Sequence, residues 1–341
     1  MSAAGHLLRR IAPQLVTLAA TLLLIAIVFP GFFEISIANG RLYGSPIDIL
    51  NRGAPVALLA IGMTLVIATK GIDLSVGAVM AICGAVAAAA ITSGMGLVAT
   101  LALALGAGLA CGLWNGLLVS VLGIQPIVAT LILMVAGRGI AQLITEGAIL
   151  TFSNEGLIFI GSGAFFSVPM PVLIWVLAGA LVALVVRRSA LGMLIEAIGI
   201  NRRASTLAGI NARVLLIAVY MASGLCAALA GIIAAADIRG ADANNAGLWL
   251  ELDAILAVVI GGTSLLGGRF SILASLIGAM IIQAVNTGIL LSGFPPEYNL
   301  IIKAAIILVI LVMQSPAVRT TLIFLRRDKT SSQSETEPVV Q

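Results

Sequence analysis

The sequence predicts an all-α protein, a polytopic transmembrane helical bundle of about ten spans with both termini in the cytoplasm. Three observations carry that expectation. Of the residues, 61% are hydrophobic and 9% charged, with a mean hydropathy of +1.19; a soluble domain is about half apolar and about a quarter charged. Apolar runs near twenty residues, long enough to cross about 30 Å of hydrocarbon, recur along almost the whole chain, and the alternating segments of an outer-membrane barrel are absent. Lysines and arginines gather in a few short loops, so the net charge of +4 reads as membrane orientation and gives no nucleic-acid signal.

Taken in order, the apolar segments are 11–33, 54–69, 74–92, 96–122, 126–146, 168–186, 214–236, 254–268, 270–291 and 298–315. The first follows His6, Arg9 and Arg10, is long, and has no small-residue cleavage site after it, so it reads as a retained span. Segments 54–69 and 254–268 are short for a crossing. In 96–122, Gly108, Gly112 and Gly116 recur at intervals of four and predict a close helix–helix contact face; "MASGLCAALAGIIAAA" in 214–236 is similarly rich in small residues. Loop 187–213 holds Arg187, Arg188, Arg202, Arg203 and Arg213 against Glu196 alone, which places it in the cytoplasm. Six spans separate it from Arg9 and Arg10, and four more lead to Arg319, Arg326, Arg327 and Lys329, so both ends fall on that side. Residues 1–315 thus read as one transmembrane domain. Residues 316–341, ending "DKTSSQSETEPVVQ", read as a polar, disordered cytoplasmic tail. The stretches "ALLAIGMT" and "LAVVIGGT" look alike, but eight Gly- and Ala-rich residues do not establish a repeat.

Catalytic chemistry finds no footing. His6 is the single histidine, Cys83, Cys111 and Cys226 lie in apolar runs without metal or disulfide spacing, and no metal site or catalytic constellation can be built. "GGTSLLGGR" lacks the phosphate-binding pattern, so the chain does not itself hydrolyse ATP. What stands out instead is polarity inside spans: Asn115, Arg138, Gln142, Gln283, Asn286 and Lys303. Arg138 lies about twelve residues past Pro126, roughly 18 Å along a helix. An arginine there costs at least about 2.5 kcal/mol unless paired or wet. It therefore faces the bundle interior or a cavity, with Gln142 one turn on; it serves either as a structural tie or as a polar lining. Lys303 can snorkel to the interface, and Trp249 reads as an interfacial anchor.

The charged stretch "TKGIDLSVGA" at 69–78 reads as a hairpin between two spans, with Gly71 permitting the turn. Asp73 or Ser75 can cap the next helix. Alternatively the turn lies below the surface and lines a wet path.

The long loop "RRSALGMLIEAIGINRRASTLAGINAR" holds a short helix between Gly192 and Gly199 and a second turn capped by Asn201, the pattern of a docking element rather than a plain connection. It resembles the coupling segment of bacterial ABC sugar-import permeases, the group that includes the ribose, xylose and arabinose permeases. Gly192, Ala197, Gly199, Asn201, Ala204, Gly209 and Ile210 carry that resemblance, and "GIDLSVGA" and "ELDAILAVVIGGTSLLGGR" match two more signatures in order. Lys70 and Phe270 depart from it, each standing where relatives have glycine.

The resemblance implies a multi-pass inner-membrane permease for a monosaccharide, working by alternating access. Its implied partners are a second, paralogous permease chain, a cytoplasmic ABC ATPase and a periplasmic sugar-binding protein. The chain would bind no cofactor itself; ATP and Mg are used by the ATPase. Coupling falls to Gly192, Glu196, Ala197, Gly199, Asn201, Arg202, Ala204 and Gly209. A neutral sugar suits a polar lining, for which the candidates are Thr64, Asp73, Ser75, Asn115, Thr130, Arg138, Gln142 and Asn286. The rivals are a secondary sugar transporter, which needs ion sites, and an intramembrane glycosyl transferase, which needs acids at one interface.

Overall fold

The structure, a computed structural model, describes residues 3–38, 40–293 and 295–314. The expected tail 316–341 lies outside them. In chain order the elements are α1 (Ala3–Val28), β1 (Ser36–Ala38), β2 (Arg41–Tyr43), α2 (Ser45–Arg52), α3 (Ala54–Ala68), α4 (Val76–Thr92), α5 (Leu97–Ser120), α6 (Pro126–Ile144), β3 (Leu150–Thr151), α7 (Glu155–Ser162), β4 (Ala164–Phe165), β5 (Val168–Pro169), α8 (Met170–Arg188), α9 (Leu191–Ile200), α10 (Arg202–Leu207), α11 (Ala212–Asp237), β6 (Gly240–Ala241), α12 (Leu250–Ile260), α13 (Ile272–Leu291) and α14 (Pro296–Gln314). The fold is helical, with two small hairpins, β1–β2 and β4–β5, and one long-range pair, β3–β6.

Among the described residues, six helices are long and apolar enough to cross a membrane: α5, α6, α8, α11, α13 and the 11–28 part of α1. A seventh is reached if α2 and α3, bent by 45° at Gly53, count as one. α4 falls short by length. The expected eighth segment, 254–268, is helical only to Ile260, because its glycines turn the chain. Gly262 takes φ +84°, and the N–H groups of Gly262 and Thr263 close back onto the carbonyls of Val259 and Val258. Hydropathy alone runs through this turn without registering it.

Short helices are tolerated here because protein, rather than lipid, surrounds them. Every residue of α3 but Pro55 is buried. Where the backbone is enclosed by other helices, neither full crossing length nor unbroken hydrogen bonding is required. The most apolar windows of α11 and α13 are 67% and 83% buried, against 17–28% for α1, α5, α6 and α8. The first pair with α3 and α4 form the centre, and the others form the outer shell, whose exposed Leu23, Ile27 and Leu143 suit acyl chains.

α11 is gripped from two sides through small residues. Gly108 lies on the backbone of Gly224, Gly112 on Tyr220 and Met221, and Gly116 on Ile217. A Cβ at Gly116 would sit 2.8 Å from the Cα of Ile217. On the other side, Gly84 of α4 faces Gly231, with its Cβ position 3.1 Å from that carbonyl oxygen. The predicted glycine face is thus an α5–α11 contact, close enough for dispersion to act without side chains between the backbones.

Candidate functional site

The first cluster lies where two helix breaks meet the α9–α10 hairpin. α3 ends with the N–H of Lys70 bonded to the Ile67 carbonyl and that of Gly71 to Val66. This Schellman closure puts its C′ residue in the left-handed region. That residue is Lys70, at φ +65°, and not the glycine expected to make the turn. The Lys70 Nζ donates to the Ile200 carbonyl at 3.1 Å, at the end of α9. Beside it the Gly268 N–H donates to the Ala68 carbonyl at 2.9 Å. Gly199 of α9 fits against both groups, leaving no room for a Cβ. One residue of α9 therefore touches the end of α3 and the 261–271 break together.

The hairpin is built by caps. Asn201, extended at φ −152°, ends α9, and its side chain accepts from the Ala204 N–H at 3.0 Å to start α10. Gly209, at φ +88°, ends α10 by the same left-handed closure, with N–H bonds from Gly209 and Ile210 to the carbonyls of Thr206 and Ser205. Gly192 is buried with its Cβ position 2.7 Å from the Val186 carbonyl oxygen. Glu196, Gly192 and Phe270 line a 330 Å³ cavity against the start of α13. Ala197 is half-buried. Arg202 reaches the Ser120 carbonyl at 3.5 Å. Met193, Ile200 and Leu207 are 69%, 64% and 84% exposed, so the hairpin presents an apolar outer surface.

The second cluster is a buried polar knot under the 69–75 break. Asp73 accepts from the Ser75 N–H at 3.1 Å and the Ser75 hydroxyl at 2.6 Å, and its other oxygen accepts from the Ser223 hydroxyl of α11 at 3.0 Å. Asn115 of α5 donates to the Ser75 hydroxyl oxygen at 2.8 Å. Thr130 of α6 accepts from the Leu74 N–H at 3.1 Å. These five side chains are at most 2% exposed. Ser75 occupies the N-cap position of α4, yet its side chain makes no capping bond. Neither residue therefore caps α4 as expected; Asp73, two residues earlier, instead closes an Asx turn onto the Ser75 N–H. Thr64, fully buried, donates within its own helix to the Ala60 carbonyl at 2.6 Å.

The third cluster is at the far end of the bundle. Arg138 donates to the carbonyls of Ala243 and Ala246 at 3.0 and 2.5 Å, and Gln142 to the Asn244 side chain at 2.8 Å. α6 thereby holds the 238–249 loop, which β3–β6 pairing also ties through Leu150↔Ala241 and Thr151↔Gly240. Asn286 stands apart from these and lines a 450 Å³ cavity. The eight predicted lining residues therefore divide among three places and form no common wall. Sequence reasoning also misassigned Lys303. Instead of snorkelling outward it pairs with Asp253 at 2.6 Å, the two side chains only 13% and 6% exposed. Two other residues of that cavity, Asn51 and Asp253, were not singled out; the polar turn "NRG" ahead of an apolar helix was the available signal for the first.

The family described as "Branched-chain amino acid transport system / permease component" matches residues 45–311. The chain is 62% identical to the galactofuranose transporter permease protein YtfT of Escherichia coli K12, over 93% of this chain and 94% of that one. It is 44% identical to the fructose import permease protein FruF of Bifidobacterium longum, over 85% and 83%. It is 39% identical to the ribose import permease protein RbsC of Escherichia coli K12, over 88% and 92%.

Proposed function

The chain belongs to this family of transport-system permeases, and from that premise we propose that it carries galactofuranose, or a closely similar monosaccharide, from periplasm to cytoplasm. It is a multi-pass membrane permease of an ABC sugar importer, and the ATPase is a separate subunit. The sugar assignment rests on the relative at 62% identity, which is named for galactofuranose. In our reading the protein sits in the inner membrane with ten crossings, the short ones enclosed in the bundle, and with both termini and α9–α10 in the cytoplasm. Residues 1–315 act as the permease unit and 316–341 as a cytoplasmic tail. The assembly adds a second, paralogous permease chain, a sugar-binding protein on the far side, and an ATPase that alone uses ATP and Mg.

The observation that carries the coupling is the junction at Gly199. The ATPase grips the apolar surface of α9–α10, and Gly199 passes its displacement to both helix breaks without an intervening side chain. Gly192, Glu196, Ala197, Asn201, Arg202, Ala204 and Gly209 give the hairpin its shape or its outer surface. Interiors are bistable rather than continuously deformable, so a small shift at the junction repacks the breaks. The knot of Asp73, Ser75, Asn115 and Thr130 holds one arrangement; Thr64 stands on the adjoining helix; Arg138, Gln142 and Asn286 stand at the solute's entrance.

Reconstitution tests this. Proteoliposomes with both permease chains, ATPase, binding protein and ATP accumulate labelled galactofuranose, and those without ATPase do not. Uptake that persists without any ATP-hydrolysing partner overturns the importer reading in favour of secondary transport. Transport by a complex lacking 192–209 overturns the coupling assignment.

A further inference from the structure

The 450 Å³ cavity at the end opposite α9–α10 has no role in coupling. Its size falls within the range of small-molecule sites, about 300–1,000 Å³. The wall is unlike a packing defect, because it carries uncommitted hydrogen-bonding groups. The Asn51 Oδ1 is buried without a partner. The Gln283 side chain is 6% exposed, and neither it nor Asn286 makes a side-chain hydrogen bond among the described residues. Buried polar groups are normally paired, so the Asn51 Oδ1 stands as an acceptor without its donor, and the Gln283 and Asn286 amides line the cavity with hydrogen-bonding capacity unused within the chain.

The charges of the wall favour a neutral guest. Arg52 and Lys303 are offset by Asp237 and Asp253, and the Lys303–Asp253 pair neutralises itself at 2.6 Å. An anion or cation would find no net field. The wall is also fixed in place. The Trp175 indole N–H donates to the Leu50 carbonyl at 3.2 Å and so anchors the α2 turn that presents Asn51. Gly53 packs against Met280 and Gln283, with its Cβ position 2.9 Å from the Met280 methyl. Trp249, half exposed, stands at the rim in a left-handed conformation, φ +65°, as the N-cap of α12. A flat aromatic face beside several amides matches a ring that has apolar C–H faces and an equator of hydroxyls.

We propose that this cavity is a monosaccharide subsite within a single permease chain. Asn51 turns its amide to accept a sugar hydroxyl, Asn286 and Gln283 bond others, and Trp249 covers a ring face. The inference rests on the sugar-importer reading and adds where the solute pauses. It also makes use of Trp249, which the sequence left as a simple interfacial anchor.

The test uses the full transporter in proteoliposomes with Asn286→Cys. The native Cys83 and Cys226 are buried and Cys111 is half-buried, so the new thiol is read with a charged methanethiosulfonate reagent as the labelling in excess of the unsubstituted transporter, which serves as blank. D-galactose, which contains the furanose form at equilibrium, slows labelling, while isosmotic glycine betaine does not. Adding Asn51→Ala raises the sugar concentration needed for protection roughly tenfold, the worth of one buried hydrogen bond. Should that double variant not fold, Trp249→Ala carries the same expectation. Sugar-insensitive labelling in a transporter that accumulates the sugar overturns the subsite and leaves the importer reading intact. Protected labelling, where the unsubstituted transporter accumulates no monosaccharide, overturns the importer reading and keeps the subsite.

Discussion

Lys70 holds a backbone conformation that a side chain resists. A non-glycine residue in the left-handed region costs roughly 1–2 kcal/mol, and Lys70 is there at φ +65°. Its compensation is the bond to the Ile200 carbonyl, worth about 0.5–1.5 kcal/mol net. The two effects nearly cancel. Lys70→Gly therefore leaves the thermal unfolding midpoint of the complex almost unchanged, while Lys70→Val, β-branched and without the bond, lowers it by several degrees. A large loss for the glycine variant would show that the lysine does more than we assign it. Asp73 behaves in the opposite way because it is enclosed. Asp73→Ala strands the Ser75 N–H and the Ser75 and Ser223 hydroxyls, each at about 1–3 kcal/mol when left unpaired, and sharply reduces the monodisperse fraction extracted in detergent. Asp73→Asn keeps an acceptor for Ser75, and the Ser223 hydroxyl can rotate to accept, so most of that fraction survives. Equal losses for the two variants would put the weight on the charge and not on the bonds. The charged pair in "TKGIDLSVGA" was legible as a turn, since glycine and aspartate between apolar runs say so. That the lysine makes the turn was not legible, because the left-handed site is set by where the α3 bonds close.

At the scale of elements, periodicity was read where it reports a face and missed where the partner is remote. Gly108, Gly112 and Gly116 announce a contact stripe through their spacing alone. Nothing in the sequence says that α11 lies against it, or that Asp253 and Lys303, fifty positions apart, form a pair. The pair makes its own prediction. Removing one member of a buried ion pair costs about 3–5 kcal/mol, because the other charge stays behind. Asp253→Ala therefore destabilises strongly, and adding Lys303→Met recovers most of the loss in a double-mutant cycle; additive losses would deny the coupling. The 238–249 loop is governed by milder forces. Hydrogen bonds from Asn245 hold the Asp242 carboxyl below the usual carboxylate range. A folded pKa lowered in this way gives stability that is complete above the unfolded value and lost as pH falls through the folded one. Between about pH 6 and about pH 3, the wild type should therefore lose more thermal stability than Asp242→Asn, whose side chain does not titrate. A larger loss in the variant would reverse the sign of the argument.

Across the whole molecule, the two stretches that looked alike by chance turn out to hold comparable places. "ALLAIGMT" lies in α3, and "LAVVIGGT" runs from α12 into its closing turn. Each precedes an irregular segment and then a further buried helix, α4 or α13. Eight residues were too few to argue a repeat, and the likeness gains meaning only because both breaks come together at α9. This convergence fixes the last prediction. A side chain at Gly199 must displace either the Ala68 carbonyl or the Gly268 N–H, breaking the bond that ties the end of α3 to the second break. Gly199→Ala leaves the outer surface of α9–α10 intact, so the ATPase still docks and still hydrolyses. Its stroke then reaches a loosened junction, and the ATP consumed per sugar accumulated rises severalfold. Gly209→Ala is the matched control: it strains an exposed left-handed turn with nothing within 4 Å of its Cβ position, so it weakens α10 by roughly 1 kcal/mol without touching either break. If the two substitutions raise the ATP cost equally, the hairpin couples through its general rigidity and the contact at Gly199 has no special part.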